Sequence, residues 1–107
     1  MTNFPRRAGF SAIVAMASAA YALAGQGAKI IVNDLEFTPR VITVRVGDTV
    51  EWINKDIVDH TATARTGRFD VATPVGRSAR KRMIAVGTYE YYCRLHPNMT
   101  GVIRVVR

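Results

Sequence analysis

The chain has 107 residues, 49% of them hydrophobic, with 15 basic and 8 acidic side chains, one cysteine and two histidines. That length holds a single domain, and a lone cysteine excludes an internal disulfide framework. The basic residues are interleaved with acids and apolar runs instead of being gathered on one helix, which argues against a nucleic-acid partner.

Residues 1–24 read as a signal peptide that stands apart from the fold. Arg6 and Arg7 form a basic n-region, residues 8–24 are small and mostly apolar, and Ala22-Leu23-Ala24 fits a small-x-small cleavage site before Gly25. The competing reading, a retained transmembrane anchor, calls for ~20 strongly apolar residues, and this Ala- and Ser-rich run is short and weakly apolar. Removal leaves a domain at 25–107 with 13 basic and 8 acidic side chains, a net charge of about +5 that suits solubility and steering toward an acidic partner. The expected location is the periplasm, with no stable membrane insertion after cleavage, and the expected state is a monomer. A free thiol is a liability in an oxidising compartment, and a bound metal would protect it.

From residue 25 on, the pattern is strand throughout. Lys29-Ile30-Ile31-Val32 opens with β-branched residues, and residues 41–46 alternate apolar and polar positions before the Gly47-Asp48 turn. Residues 49–54 place Val50 and Trp52 on one inward face. A polar segment then leads to His60. Residues 65–78 read as a surface loop with a short strand near Phe69. Residues 80–86 and 89–93 read as strands on either side of a Gly87-Thr88 turn, and residues 101–106 close the chain. Six to eight short strands without helical periodicity imply an all-β, Greek-key β-sandwich. Trp52 and Tyr91 are expected in the core, Tyr89 in a tyrosine corner, and Asn54 in fixing a turn.

One segment carries the chemistry. Cys93, His96 and Met99 recur every third residue, and His60 lies upstream. One thiolate, two imidazoles and a thioether are the donor set of a blue-copper site, with His₂Cys in a trigonal plane and a weak axial Met. Each residue alone has a plainer role: a surface histidine, a small buried hydrophobe, a core filler. Their joint occurrence at predicted strand ends points to metal. Zinc, with Asp59 as fourth ligand, is the competing metal, but structural zinc sites usually carry more thiolates.

The motifs Phe37-x-Pro39, Val46-Gly47-Asp48-Thr49-Val50-x-Trp52-x-Asn54, His60 and Gly87-x-Tyr89-x-Tyr91-x-Cys93-x-x-His96-Pro97-x-Met99, followed by Gly101, resemble the cupredoxin family. Within it they resemble the plastocyanin, pseudoazurin and amicyanin branch. The two-residue gap between His96 and Met99 is most similar to amicyanin. The resemblance implies one type-1 copper ion per chain, held by His60, Cys93, His96 and Met99. It further implies one-electron transfer between periplasmic redox proteins, such as a c-type cytochrome or a dehydrogenase, by transient contact near His96.

Three positions depart from the family's habit, since Arg94 and Leu95 both stand where smaller residues are often found and Thr61 also differs. Thr61 follows the first histidine where many relatives carry Asn or Ser, and Arg94 brings a positive charge toward the thiolate, which favours Cu(I) and raises the potential. Leu95, Pro97, Ile57 and Val58 are expected to form an apolar patch around His96, with Arg65, Lys81, Arg82 and Arg94 steering an acidic partner. The competing function is copper delivery without an electron-shuttle role. Enzyme activity is not expected, because four ligands leave no open position and neither a Ser-His-Asp set nor a carboxylate pair is evident.

Overall fold

Period-two alternation along most of the chain becomes nine strands in the computed structural model, which describes residues 27–107. The signal peptide at 1–24 and its cleavage lie outside the described residues. The strands are β1 (Gly27–Asn33), β2 (Glu36–Thr38), β3 (Val41–Arg45), β4 (Thr49–Asn54), β5 (His60–Ala64), β6 (Asp70–Thr73), β7 (Ser78–Arg82), β8 (Gly87–Tyr92) and β9 (Thr100–Val106). They form a four-stranded sheet in the order β2-β1-β4-β7 and a five-stranded sheet in the order β3-β9-β8-β5-β6. The pairs β1–β4 and β3–β9 are parallel and the other pairs antiparallel. The molecule is the all-β sandwich expected.

The core lies between the two inner faces. Ile30, Val32, Val50 and Trp52 of the first sheet meet Ala62, Tyr91, Ile103 and Val105 of the second, all but fully buried. Trp52 and Tyr91 cross edge to face with centroids 5.7 Å apart, and Phe37 meets Tyr91 at 4.8 Å. Such pairs add roughly 0.5–1.5 kcal/mol each beyond the area they bury. The Tyr89 hydroxyl donates to the Ala85 carbonyl at 2.7 Å, forming the tyrosine corner that fixes the crossover from β7 to β8.

The strand count exceeds six to eight because β2 has only three residues, too few for alternation to show, whereas β6 adjoins the short strand expected near Phe69. The strand expected over 80–86 stops at Arg82, where Met83 N–H turns to the Asp48 carbonyl and begins the corner. β5 is buried along its whole length between β8 and β6, so small Ala and Thr side chains stand where alternation was sought.

The registers place the connections at two opposite ends. One end gathers the turn at Asp34-Leu35 and loops 55–59 and 93–99. The other gathers the turn at 46–48, the crossover at 83–86, the start of β1 and the end of β9, joined by Val46 N–H to Val106 O at 2.7 Å and Gly47 N–H to Met83 O at 2.8 Å.

Candidate metal centre

His60 opens β5, so its place is set by a central strand and by the loop before it. Asn54, at the end of β4 and 2% exposed, pins that loop from three sides. Its amide donates to the carbonyls of Val58 (3.0 Å) and Thr73 (2.7 Å), and its oxygen accepts the Asp56 N–H (2.8 Å). Asn54 therefore fixes a turn, as expected from the sequence.

Cys93, His96 and Met99 sit on a loop closed by its own backbone. His96 N–H reaches the Cys93 carbonyl at 3.3 Å, Met99 N–H reaches the His96 carbonyl at 2.9 Å, and Cys93 N–H reaches the Met99 carbonyl at 3.0 Å. Two consecutive three-residue turns give the loop its period, the spacing that brings side chains i and i+3 over one another.

These anchors bring three donors together. Cys93 Sγ lies 3.7 Å from His60 Nδ1 and 3.6 Å from His96 Nδ1, and the two nitrogens are 3.2 Å apart. A circle through the three atoms has a radius of about 2.0 Å, close to the ~2.0–2.3 Å bonds that a first-row ion such as zinc makes to imidazole and thiolate. His60 and Cys93 are buried while His96 is half-exposed. Met99 is buried at 3% in the core cluster beside the loop. Asp59 does not join the group: its carboxylate accepts the Val75 N–H at 2.8 Å. That removes the fourth ligand of the zinc reading.

Protonation follows from the partner of His60. Its Nε2 lies 2.9 Å from Asp56 Oδ2. The Asp56 carboxyl is held at about 2, first by the Leu35 N–H, then by His60 and the Ile57 N–H. An ionised carboxylate only accepts, so Nε2 carries the proton and Nδ1 offers its lone pair to the donor triangle. A carboxylate behind a ligating imidazole fixes tautomer and ring orientation in this manner. Asp56 was not singled out from the sequence, although an acid four residues before a candidate ligand was a signal to follow.

Thr61 does what its neighbours require. Its N–H donates to Cys93 Sγ at 3.4 Å, and its hydroxyl accepts the Arg94 N–H at 2.9 Å, so it ties both ligand segments together. The Arg94 guanidinium turns to Asp70, with Nε 3.2 Å from Oδ1, and this pairing offsets the charge expected to act on the thiolate.

The surface over His96 is apolar. Leu35, Ile57, Val58 and His96 line one shallow depression together with Asp34 and Asp56. Ile57 is 88% exposed, Leu95 54% and Leu35 50%. Leu35 was missed because it comes from the hairpin between β1 and β2. There Asp34 (φ 52°) and Leu35 (φ 60°) both adopt the left-handed conformation of a type I′ turn. Of the four steering cations, Arg94 borders the site and Arg65 stacks on the Tyr92 ring at 4.6 Å. Lys81 and Arg82 lie at the opposite end of the sandwich.

A nine-stranded sandwich that presents one thiolate and two imidazoles at one end defines a copper-protein architecture. Residues 8–105 match the family model of the cupredoxin-like domain. Amicyanin-alpha of Methylorubrum extorquens is 30% identical over 92% of this chain and 91% of its own length. Amicyanin of Paracoccus denitrificans is 35% identical over 58% of this chain, a match spanning about half (52%) of that relative. Among solved structures, a purple cupredoxin from Nitrosopumilus maritimus superposes with a TM-score of 0.66 at 28% identity, over 73% of this chain and 98% of that one. The chain belongs to the cupredoxin-like family, most like amicyanin. Its cofactor is one copper ion, and the His60–Cys93–His96 triangle fits it.

Proposed function

We propose that this protein is a periplasmic type-1 copper protein that shuttles single electrons between redox proteins, with His60, Cys93, His96 and Met99 as the residues that would hold the ion. The observation that carries the reading is the triangle of one sulfur and two nitrogens, with Met99 buried beside its loop. Bound copper supplies one-electron chemistry between Cu(I) and Cu(II).

The chain's own residues do the rest. Asp56 holds the His60 ring, Thr61 gives the Cys93 sulfur a hydrogen bond, and both ligands are shut away from water. Half-exposed His96 is the point of closest approach for a partner. Its apolar surround of Leu35, Ile57, Val58 and Leu95 suits a small contact that forms and separates quickly. The partners are redox proteins such as a c-type cytochrome or a dehydrogenase, and the carrier itself is a monomer without enzyme activity.

Copper delivery is the second reading. A delivery site must surrender its ion, whereas two of these three donors are buried on strand-anchored backbone. The test is the visible spectrum and voltammetry of the protein with one equivalent of Cu(II), beside Cys93→Ser. An intense blue thiolate-to-copper band lost in the variant, with a reversible one-electron wave, is the expected result. A colourless copper adduct, or a coloured one without a reversible wave, would favour delivery.

A further inference from the structure

The end of the sandwich opposite the metal centre has a chemistry of its own that electron transfer does not use. Its segments are joined by backbone bonds from Val46 to Val106, Gly47 to Met83 and Met83 to Asp48. Arg45, Lys81, Arg82 and Arg107 lie on or beside these segments, and Arg68 lines one cavity with Lys81 and Arg82. Against these five cations, the same segments hold one acid, Asp48, whose carboxylate accepts the Arg45 N–H at 2.8 Å.

Apolar side chains project from the same end. Ile84 is 72% exposed and Val86 51%, both on the crossover from β7 to β8, and Val106 is 43% exposed. This crossover is firmly held. Met83 is buried beneath it, and the Tyr89 hydroxyl donates to the Ala85 carbonyl between the two exposed residues. The loop therefore presents Ile84 and Val86 without needing to order itself on contact. β1 begins here too, since Gly27 pairs with Thr49 just after the turn at 46–48, so the chain enters the domain through this end.

We propose that this basic end, tipped by Ile84 and Val86, docks the protein on an anionic lipid surface with the metal centre facing away. Cations near an anionic bilayer are drawn to its headgroups, and exposed apolar side chains beside them enter the headgroup boundary. An acidic protein would meet the cations equally well. Lipid is favoured by the two projecting aliphatic residues, held in place on a fixed crossover. Strands of five to seven residues rising about 3.3 Å per residue then hold His96 roughly 20 Å from the headgroups, open to partners moving along the membrane. This inference is independent of which metal the site holds.

The test is flotation of the chain, as exported and processed by the cell, with vesicles of phosphatidylcholine alone or mixed with phosphatidylglycerol. The readout is the ratio of binding to the two, compared between the parent and variants that carry the same processed N-terminus, so any residual N-terminal contribution cancels in the comparison. The expected result is a preference for the anionic vesicles that fades with added salt. In Arg68→Gln/Lys81→Gln/Arg107→Gln the preference falls by about a hundred-fold, near five-fold per cation, while Arg68→Lys/Arg107→Lys retains it. Arg82 is left in place because its Nε donates to the Gly47 carbonyl at 3.2 Å. Ile84→Ser/Val86→Ser weakens binding and leaves the visible spectrum unchanged. Equal binding to both vesicle types overturns the proposal, as does a triple Gln variant that binds like the parent. Salt-sensitive retention on an acidic protein without vesicle preference also overturns it and assigns the surface to a protein partner.

Discussion

Thr61→Val tests whether the two ligand segments are joined through one hydroxyl. The Asp70 carboxyl is held below its ordinary value, first by the Thr63 hydroxyl and then by Arg94, so its Oδ1 accepts and does not donate. Thr63 must then donate its single proton to Asp70 (2.8 Å) and accept one from Thr61 (2.9 Å). The Thr61 oxygen in turn accepts the Arg94 N–H. Valine has nearly the same shape but breaks both links, leaving the Arg94 N–H without its acceptor and the Thr63 oxygen without its donor. Thr61 is 5% exposed and Thr63 8%, so water replaces little of what is lost. A buried polar group left unsatisfied costs about 1–3 kcal/mol, and the half-open Arg94 end places the total near 2 kcal/mol. For a domain of this size that lowers Tm by about 8–16 °C, at roughly 4–8 °C per kcal/mol. The assay is calorimetry of the copper-free protein with Thr61→Ser as control, which keeps the hydroxyl and loses only a buried methyl, about 0.5–1.5 kcal/mol. A Thr61→Val variant as stable as Thr61→Ser would refute the relay.

Four other outcomes follow from the same contacts. Asp56→Ala removes the acceptor behind His60 and lowers copper affinity by about 10–100-fold in competition titrations. Gly101→Ala drives a methyl group into the Tyr91 ring, which Phe37, Trp52 and Phe69 hold in place; overpacking of this kind costs about 1–3 kcal/mol in urea unfolding. Asp70, whose carboxyl is depressed, stabilises the fold above its ordinary pKa of 3.8 and loses that contribution as pH falls through its lower folded value. Copper-free parent should therefore exceed Asp70→Asn in urea midpoint at pH 6, with the gap closing as the pH drops below 3.8. Leu35→Gly relieves a left-handed leucine and stabilises the protein by about 1 kcal/mol, yet slows electron exchange with a partner by removing apolar surface beside His96.

The fold was legible wherever a strand ran long enough to alternate against a single core, as in β3, β4 and β9. It was hard to read at β5, where burial on all sides replaces alternation with small residues. The candidate donors stood out because Cys93, His96 and Met99 are close in sequence and their chemistry is narrow. What supports them was not. Asp56 acts across to Leu35, and Thr63 reaches Asp70 through the β5–β6 hairpin, so both roles depend on neighbours that only pairing and turn geometry create. The basic rim failed for the same reason. Arg82 and Arg94 both read as surface cations in sequence, and only strand direction sends them to opposite ends.

Strain and anchoring at the metal end argue for a carrier over a donor of copper. A left-handed leucine costs about 1–2 kcal/mol over an extended one, and the fold keeps it because the Leu35 N–H is fastened to Asp56 at 3.0 Å. The same Asp56 oxygen accepts the His60 proton. One carboxylate thus links the backbone of an exposed apolar contact residue to the orientation of a buried donor. Cys93 is held independently, by Thr61 N–H at its sulfur and by the Met99 carbonyl at its own N–H. These contacts grip both donors from outside the ligand triangle, an arrangement that would suit a site whose ligands stay put when a bound ion changes oxidation state. Delivery would require His60 or Cys93 to swing free, breaking the Asp56 link or the Thr61 bridge and opening a core that is closed around both.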